Sequence, residues 1–335
     1  PATQVPKILH FVWLGGGLGD IQRDYINVWK KVLAGQGYKI NVWYDNDALL
    51  AYRTNQLVVE AAKADAMQHG GVDSATEREL GELYVARVIA LKQQMYQYIN
   101  DAVAKGESAD AARMQLLVRG YGQDAQELRR LKTTNRDSIQ ALVDGDVQVR
   151  DLAGAEKPLQ LQALYQREMR LRGNFAAASD VVRAEVLHLE GGSYTDVDNL
   201  PPLLKSVGGV DISGFSDDAR LGLLQLLLNE NPEWMPGRQA LKSRYVDRTD
   251  QIPEAHRQAL QAFAKGKPLL AQVFQPPQDL LVRPYALRAV AVRSTISNGY
   301  MMAHPGSAVL ESVLKRLEFN LGLVDATARL AVQRG

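Results

Sequence analysis

Two groups of side chains in this chain have the types and spacing to handle a phosphorylated substrate. One is Gly191-Gly192-Ser193-Tyr194-Thr195-Asp196-Val197-Asp198, in which two carboxylates flank a single residue at the end of an expected strand, Ser193 to Val197. In an extended segment residues i and i+2 share a face. Asp196 and Asp198 would then stand together at the C-terminal end of the strand, where open α/β sheets bind ligands, with Val197 turned the other way. Carboxylate oxygens are hard ligands for Mg²⁺ or Mn²⁺, and such a cation neutralises the charge that grows on a departing diphosphate. The other group is Asp180 and Arg183, three apart on one face of an expected helix, Ala176 to Leu189. A guanidinium there suits phosphate oxygens and a carboxylate suits hydroxyls; the plainer reading is a surface ion pair worth a few tenths of a kcal/mol.

An Asp-x-Asp alone is a common surface turn. Here two glycines lead in, Tyr194 stands two residues before it, Pro201-Pro202 close the element, and Ala176-Ala177-Ala178-Ser179 let the helix start approach its surroundings closely. The combination suits a sugar diphosphate gripped through a divalent metal, the requirement of a nucleotide-sugar transferase.

The elements that must position these groups follow an α/β pattern. Lys7 to Leu14 reads as a buried strand ending in the loop Gly15-Gly16-Gly17-Leu18-Gly19, followed by helical periodicity from Asp20 to Leu33. A second strand, Tyr38 to Tyr44, ends at Asp45-Asn46-Asp47, cap residues for a helix from about Ala48. Val58 to Met169 is rich in Ala, Gln, Glu, Arg and Leu and reads as a helical insertion, with helices such as Leu80 to Val103 and Ala125 to Leu131. Later strands are expected at Val210 to Phe215, Leu280 to Arg283 and Ser297 to Ala303. The organisation expected is one domain over 1–335, with an α/β core from 1–57 and 171–335 and the insertion at 58–170. Trp13, at the mouth of the first strand, is placed either to stack on a flat base or to fill the core.

Several classes are excluded by residues. The chain has 335 residues, no cysteine and a net charge of +1, so thiol chemistry and disulfides are absent and no bulk charge calls for nucleic acid. The basic run Arg129-Arg130-Leu131-Lys132 reads as a solvated helix face. No apolar run reaches the roughly 20 residues of a membrane span. The glycine loop lacks the Lys and Ser/Thr of a P-loop and the dinucleotide-binding spacing, and the five histidines show no ligand or triad order.

His10-Phe11-Val12-Trp13-Leu14-Gly15-Gly16, Trp43-Tyr44-Asp45, Asn174 to Asp180 with Arg183, and Gly191 to Pro201 occur in an order that resembles the catalytic domain of the clostridial large glucosylating toxins. The likeness covers both α/β parts, is weak across the insertion, and extends to a Rho-tyrosine-glycosylating toxin domain of Photorhabdus. It implies a GT-A fold, Rossmann-like with a mixed central sheet, a UDP-sugar donor, a divalent cation with Mn²⁺ ahead of Mg²⁺, retention of configuration, and transfer to a Tyr or Thr hydroxyl of a host Rho-family GTPase. It further implies secretion within a larger bacterial toxin and action in the host cytosol, at the inner membrane face in one version.

Carried over by position, the resemblance has Trp13 stacking on uracil beside Val12, with Phe175 and Ser179 lining the nucleotide pocket. It has Asp180 binding sugar hydroxyls, Arg183 holding donor oxygens, Tyr194 contacting the diphosphate with Val197 nearby, and Asp196 and Asp198 serving the metal. Ile296-Ser297-Asn298-Gly299 is similar to the family's later donor loop, with Asn298 reaching the sugar and the leaving oxygen. Bulky residues flank that asparagine in the glucose-using toxins, whereas Ser297 and Gly299 are small, which implies UDP-GlcNAc rather than UDP-glucose. Two departures stand out: nothing after Leu317 is similar to the family's tryptophan-bearing lid, and its N-terminal helical targeting bundle has no counterpart. The alternatives are a GT-A enzyme acting on glycans and a non-catalytic sugar-nucleotide-binding module.

Overall fold

The computed structural model describes residues 4–70, 77–154, 159–199, 206–207, 209–212, 214–215, 219, 223, 254–265 and 298–334. The chain divides into two compact units: Pro1–Leu18, Lys39–Tyr194 and Met302–Gly335 form the first, Gly19–Tyr38 and Thr195–Met301 the second. Among the described residues the strands are β1 (Ile8–Trp13), β2 (Lys39–Tyr44), β3 (Val147–Asp151), β4 (Gly192–Thr195), β5 (Ser206–Val207), β6 (Val210–Asp211) and β7 (Tyr300–Ala303). The sheet that runs through the first unit is ordered β3-β2-β1-β4-β7.

β1 pairs in parallel with β2, from Ile8 opposite Lys39 to Trp13 opposite Tyr44, and with β4, where Leu9 faces Ser193 and His10 faces Tyr194. Parallel strands are covered on both faces and so read as near-continuous apolar runs, here interrupted by His10 in β1 and Asn41 in β2. Leu9, Phe11, Val12, Ile40, Val42, Trp43 and Tyr44 are all buried. β3 pairs in parallel with β2 and closes one edge of the sheet. It lies within the stretch expected to be helical. Its five residues, Val147-Gln148-Val149-Arg150-Asp151, carry too little apolar signal to announce a strand.

The helices of the first unit are α2 (Ala48–Gly70), α3 (Glu77–Ala104), α4 (Ala109–Gln115), α5 (Ala125–Gln140), α6 (Gln162–Gln166), α7 (Phe175–Glu190) and α9 (Ala308–Arg334); α1 (Asp20–Leu33) and α8 (Glu254–Lys265) belong to the second. α4 and α6 each run on into a π-helical turn, Leu116–Gly120 and Arg167–Leu171. α2 packs on α3 through Val58, Ala62, Leu91 and Met95, and on the first π turn and α5 through Leu50, Leu57, Leu117 and Leu128. Asp45 makes a turn just ahead of α2: its Oδ1 accepts from the Asp47 N–H at 2.9 Å and its carbonyl from the Ala48 N–H at 3.0 Å. α9 lies against α7.

Three expected strands change. The strand at Ser193 to Val197 ends at Thr195, because the Asn199 N–H closes a turn on the Asp196 carbonyl at 3.2 Å. Val210 to Phe215 reduces to a two-residue strand pairing antiparallel with β5, and Ser297 to Ala303 to Tyr300–Ala303. Ser297, Pro201, Pro202 and the strand expected at Leu280 to Arg283 lie outside the described residues.

Candidate functional site

α7 starts where the Asn174 side chain accepts from the Ala177 N–H at 3.2 Å, and of the three alanines in its first turn Ala176 is exposed, Ala177 half-buried and Ala178 buried. Arg183 projects from its third turn and is buried. Its Nη2 donates to Ser179 Oγ at 2.8 Å and its Nε to the Ser179 carbonyl at 3.3 Å. Asp180 Oδ1 stands 3.6 Å from Nε, and the guanidinium carbon lies 4.5 Å from the centre of the Tyr194 ring. The pair is no surface decoration, because the Arg183 side chain is 10% exposed and the Asp180 side chain 38%. A buried, aromatic-backed guanidinium with a half-exposed carboxylate beside it can hold an anionic group and a hydroxyl at once.

Trp13 ends β1 half-buried. Its indole N–H donates to the Gly16 carbonyl at 2.7 Å, and it packs against Leu18, Tyr44 and Ile139. The ring is therefore in part a core residue, and it is half-buried rather than enclosed. Val12, one residue earlier, is buried. The glycines after Trp13 are covered by two rings. A methyl group on Gly16 would come within 3.0 Å of Tyr52, one on Gly15 within 3.6 Å of both Tyr52 and Phe175, and the two ring centres are 6.3 Å apart. Tyr52 was not singled out in the sequence, since it reaches this loop from α2 and nothing in its neighbourhood marks it.

In the second unit the acidic pair sits on a turn. Asp196 is half-buried, Val197 half-buried and Asp198 exposed, so the face-sharing expected of an extended strand does not apply to them. The turn is tied to the segment carrying Asn298 and Gly299: the Asp196 N–H donates to the Gly299 carbonyl at 2.9 Å, and Asn199 Nδ2 donates to the same oxygen at 3.1 Å. The Asn199 carbonyl accepts from the Trp29 indole at 2.8 Å, which fastens the turn to α1. Asn298 is exposed and Gly299 buried. Asn199, in this clamping role, is a second residue that the sequence pattern did not single out.

The donor set of this turn fits a hard divalent cation: two carboxylates, one of them exposed, and no softer ligand. Among the described residues no group of three or more His, Asp or Glu side chains gathers. Two protein carboxylates with the other positions left to diphosphate oxygens and water is how Mg²⁺-type sites on phosphorylated substrates are made.

A charged cluster in the first unit, drawn from distant parts of the chain, adjoins the C-terminal ends of β2 and β3. Asp47 accepts from Lys132 Nζ at 2.9 Å and Arg170 Nη2 at 3.1 Å, and Lys132 also bonds Asp110 at 3.0 Å. Asp45 is buried and accepts from the Tyr165 hydroxyl at 2.7 Å; burial lifts its carboxyl from 3.8 to about 6 against the pull of that hydrogen bond and of Arg170. Burial likewise raises Asp151 and Asp110.

Residues 7–335 match the model of the TcdA/TcdB catalytic glycosyltransferase domain. Cytotoxin-L of Paraclostridium sordellii is 24% identical over 99% of this chain, and Toxin B of Clostridioides difficile 23% over 99%; the chain spans 14% of the length of each. Among solved structures, the catalytic domain of alpha-toxin from Clostridium novyi superposes with a TM-score of 0.71 at 19% identity, covering 97% of this chain and 60% of that one. The UDP-bound glycosyltransferase domain of the YGT toxin gives 0.64 at 20% identity, covering 99% and 65%. The fold is that of the GT-A toxin glycosyltransferase domains.

Proposed function

Since the chain belongs to the TcdA/TcdB catalytic glycosyltransferase domain family, we propose that this sugar-transferring enzyme uses UDP-GlcNAc and delivers the sugar, with retention, to a Tyr or Thr hydroxyl of a host Rho-family GTPase. The observation that carries the reading is the tie between the acidic turn and the donor-loop asparagine, made by the Asp196 N–H and Asn199 Nδ2 on the Gly299 carbonyl. It supports a single assembly of carboxylates and carboxamide for one end of the donor.

In this reading Asp196 and Asp198 hold Mn²⁺ or Mg²⁺, which when bound offsets the charge of the UDP leaving group. Arg183 takes a donor oxygen. Its contacts with Ser179 and the Tyr194 ring already fix its position, so little ordering remains when the donor binds. Asp180 accepts from sugar hydroxyls, Asn298 donates to the oxygen between sugar and diphosphate, Val197 borders the diphosphate, and Tyr194, fully buried, serves the diphosphate end by backing Arg183. Trp13 stacks on the base beside Val12, with Phe175 closing the far side. The small Gly299, with Ser297, leaves room for the N-acetyl group. The enzyme acts as part of a longer secreted toxin, in the host cytosol; among the described residues no helix is long and apolar enough to cross a membrane.

Donor hydrolysis tests the sugar assignment. With Mn²⁺ the chain is expected to turn over UDP-GlcNAc faster than UDP-glucose; the reverse order overturns the donor assignment, and sugar found only on an oligosaccharide overturns the acceptor.

A further inference from the structure

His10 lies at the centre of β1 with no exposed surface, and both of its ring nitrogens are engaged. The Trp43 indole N–H donates to Nδ1 at 3.0 Å. That contact fixes the tautomer: Nδ1 is the acceptor, so the proton sits on Nε2, which donates to the Gly191 carbonyl at 2.9 Å. Burial lowers the tendency of this ring to take a second proton, and the flanking Glu190 and Arg150 act in opposite directions. Arg150 bonds Glu190 and stacks 3.9 Å over the Trp43 ring, so the donor that sets the tautomer is itself held from its outer face.

The carbonyl that His10 grips belongs to the joint between the helix carrying Asp180 and Arg183 and the strand carrying Tyr194. Gly191 and Gly192 have φ of 68° and 106°, a backbone that other residues rarely adopt. The joint is also crowded from two sides. A methyl group on Gly192 would meet the Ile8 carbonyl at 2.5 Å, and one on Gly191 would meet Pro305 at 2.6 Å. On the far side the Gly306 N–H donates to the His188 carbonyl at 2.7 Å. His10 meets β4 twice, by backbone pairing opposite Tyr194 and by its ring on Gly191. A one-residue slip of β4 would turn Tyr194 to the opposite face of the sheet and remove it from beneath Arg183.

We propose that His10, in the tautomer set by Trp43, is a positioning residue of the transfer reaction: it locks the Gly191–Gly192 joint and thereby the register of Tyr194 beneath Arg183. The proposal rests on the reading of Arg183, backed by the Tyr194 ring, as a donor contact, and it reaches beyond it to a group that touches no substrate. A buried histidine serving only the core would lower stability when replaced, yet leave the donor KM of the folded chain unchanged.

The test compares His10→Phe, His10→Gln and Trp43→Phe with the wild-type chain, each assayed well below its melting temperature. Two readouts are used: Mn²⁺-dependent hydrolysis of UDP-GlcNAc and UDP-glucose, and deuterium uptake of peptides covering residues 188–195. His10→Phe keeps a ring but leaves the Gly191 carbonyl and the Trp43 N–H without partners. It is expected to raise the KM of the donor about tenfold and to speed exchange at the joint. His10→Gln retains an N–H within reach of Gly191 and is expected to stay within about threefold of wild type in both readouts. Wild-type KM, kcat and exchange in folded His10→Phe would overturn the proposal. Should that variant fail to fold, Trp43→Phe decides, with faster exchange at the joint expected and unchanged exchange overturning it. A wild-type chain that hydrolyses neither donor removes the donor reading alone, and the exchange comparison still decides the role of His10.

Discussion

Replacing Asp45 by asparagine isolates the energetic cost of one buried carboxylate beside the sheet. The rise of its carboxyl from 3.8 to about 6 corresponds to about 3 kcal/mol, at roughly 1.4 kcal/mol for each pH unit. The sign follows from the direction of the rise. The folded chain binds this proton more tightly than the unfolded chain, so the associated stability is fully present below pH 3.8 and is lost as pH rises through about 6. Asparagine removes the ionisation while keeping an oxygen for the Asp47 N–H and an amide facing Tyr165. Relative to wild type, Asp45→Asn should gain only about 0.5 kcal/mol from this source at pH 4 and about 3 kcal/mol at pH 8. The difference between the two pH values, about 2.5 kcal/mol, is free of any pH-independent cost of the amide, and the other raised carboxyls contribute equally to both proteins. Denaturation curves of the two chains at pH 4, 6 and 8 measure it. A constant gap across that range, or a variant that loses ground as pH rises, would show that Asp45 works as an ionised partner of Arg170 and would refute the reasoning.

Asp196→Asn and Asp198→Asn should each lower Mn²⁺-dependent donor hydrolysis by at least about a hundredfold with melting temperature unchanged, and chelation of the metal should do the same to wild type; undiminished turnover in either variant removes the metal assignment. Arg183→Lys keeps the charge but cannot span Ser179 and the Tyr194 ring together, so kcat/KM for the donor should fall about tenfold or more. Gly192→Ala places a Cβ against the Ile8 carbonyl at positive φ and should cost at least about 1–3 kcal/mol, read as a lower midpoint in denaturant.

The sheet's inner strands and α7 were legible because each carries its own signal. β1 and β2 are largely apolar runs, interrupted inside by His10 and Asn41, and Asn174 caps a helix whose end is marked by Gly191. β3 was hidden because an edge strand can be short and polar, and its partner β2 lies about a hundred residues away. The acidic motif was legible by type and misjudged in shape: tight closure by Asn199 depends on Gly299, which no local pattern brings near. The same holds for Tyr52 over the glycine loop and for the Asp45, Asp47, Lys132 and Arg170 cluster, whose members come from three distant stretches. Arg183 with Asp180 was visible as a pair three apart on one helix face, but the ring partner Tyr194 comes from the following strand.

Intact mass of purified Rho-family GTPases tests the account most directly. After incubation with the wild-type chain, Mn²⁺ and equal amounts of UDP-GlcNAc and UDP-glucose, the GTPase should gain the mass of a single N-acetylhexosamine, and no gain should follow with Asp196→Asn. A GTPase left unmodified by the wild-type chain, or modified equally by the variant, would contradict it.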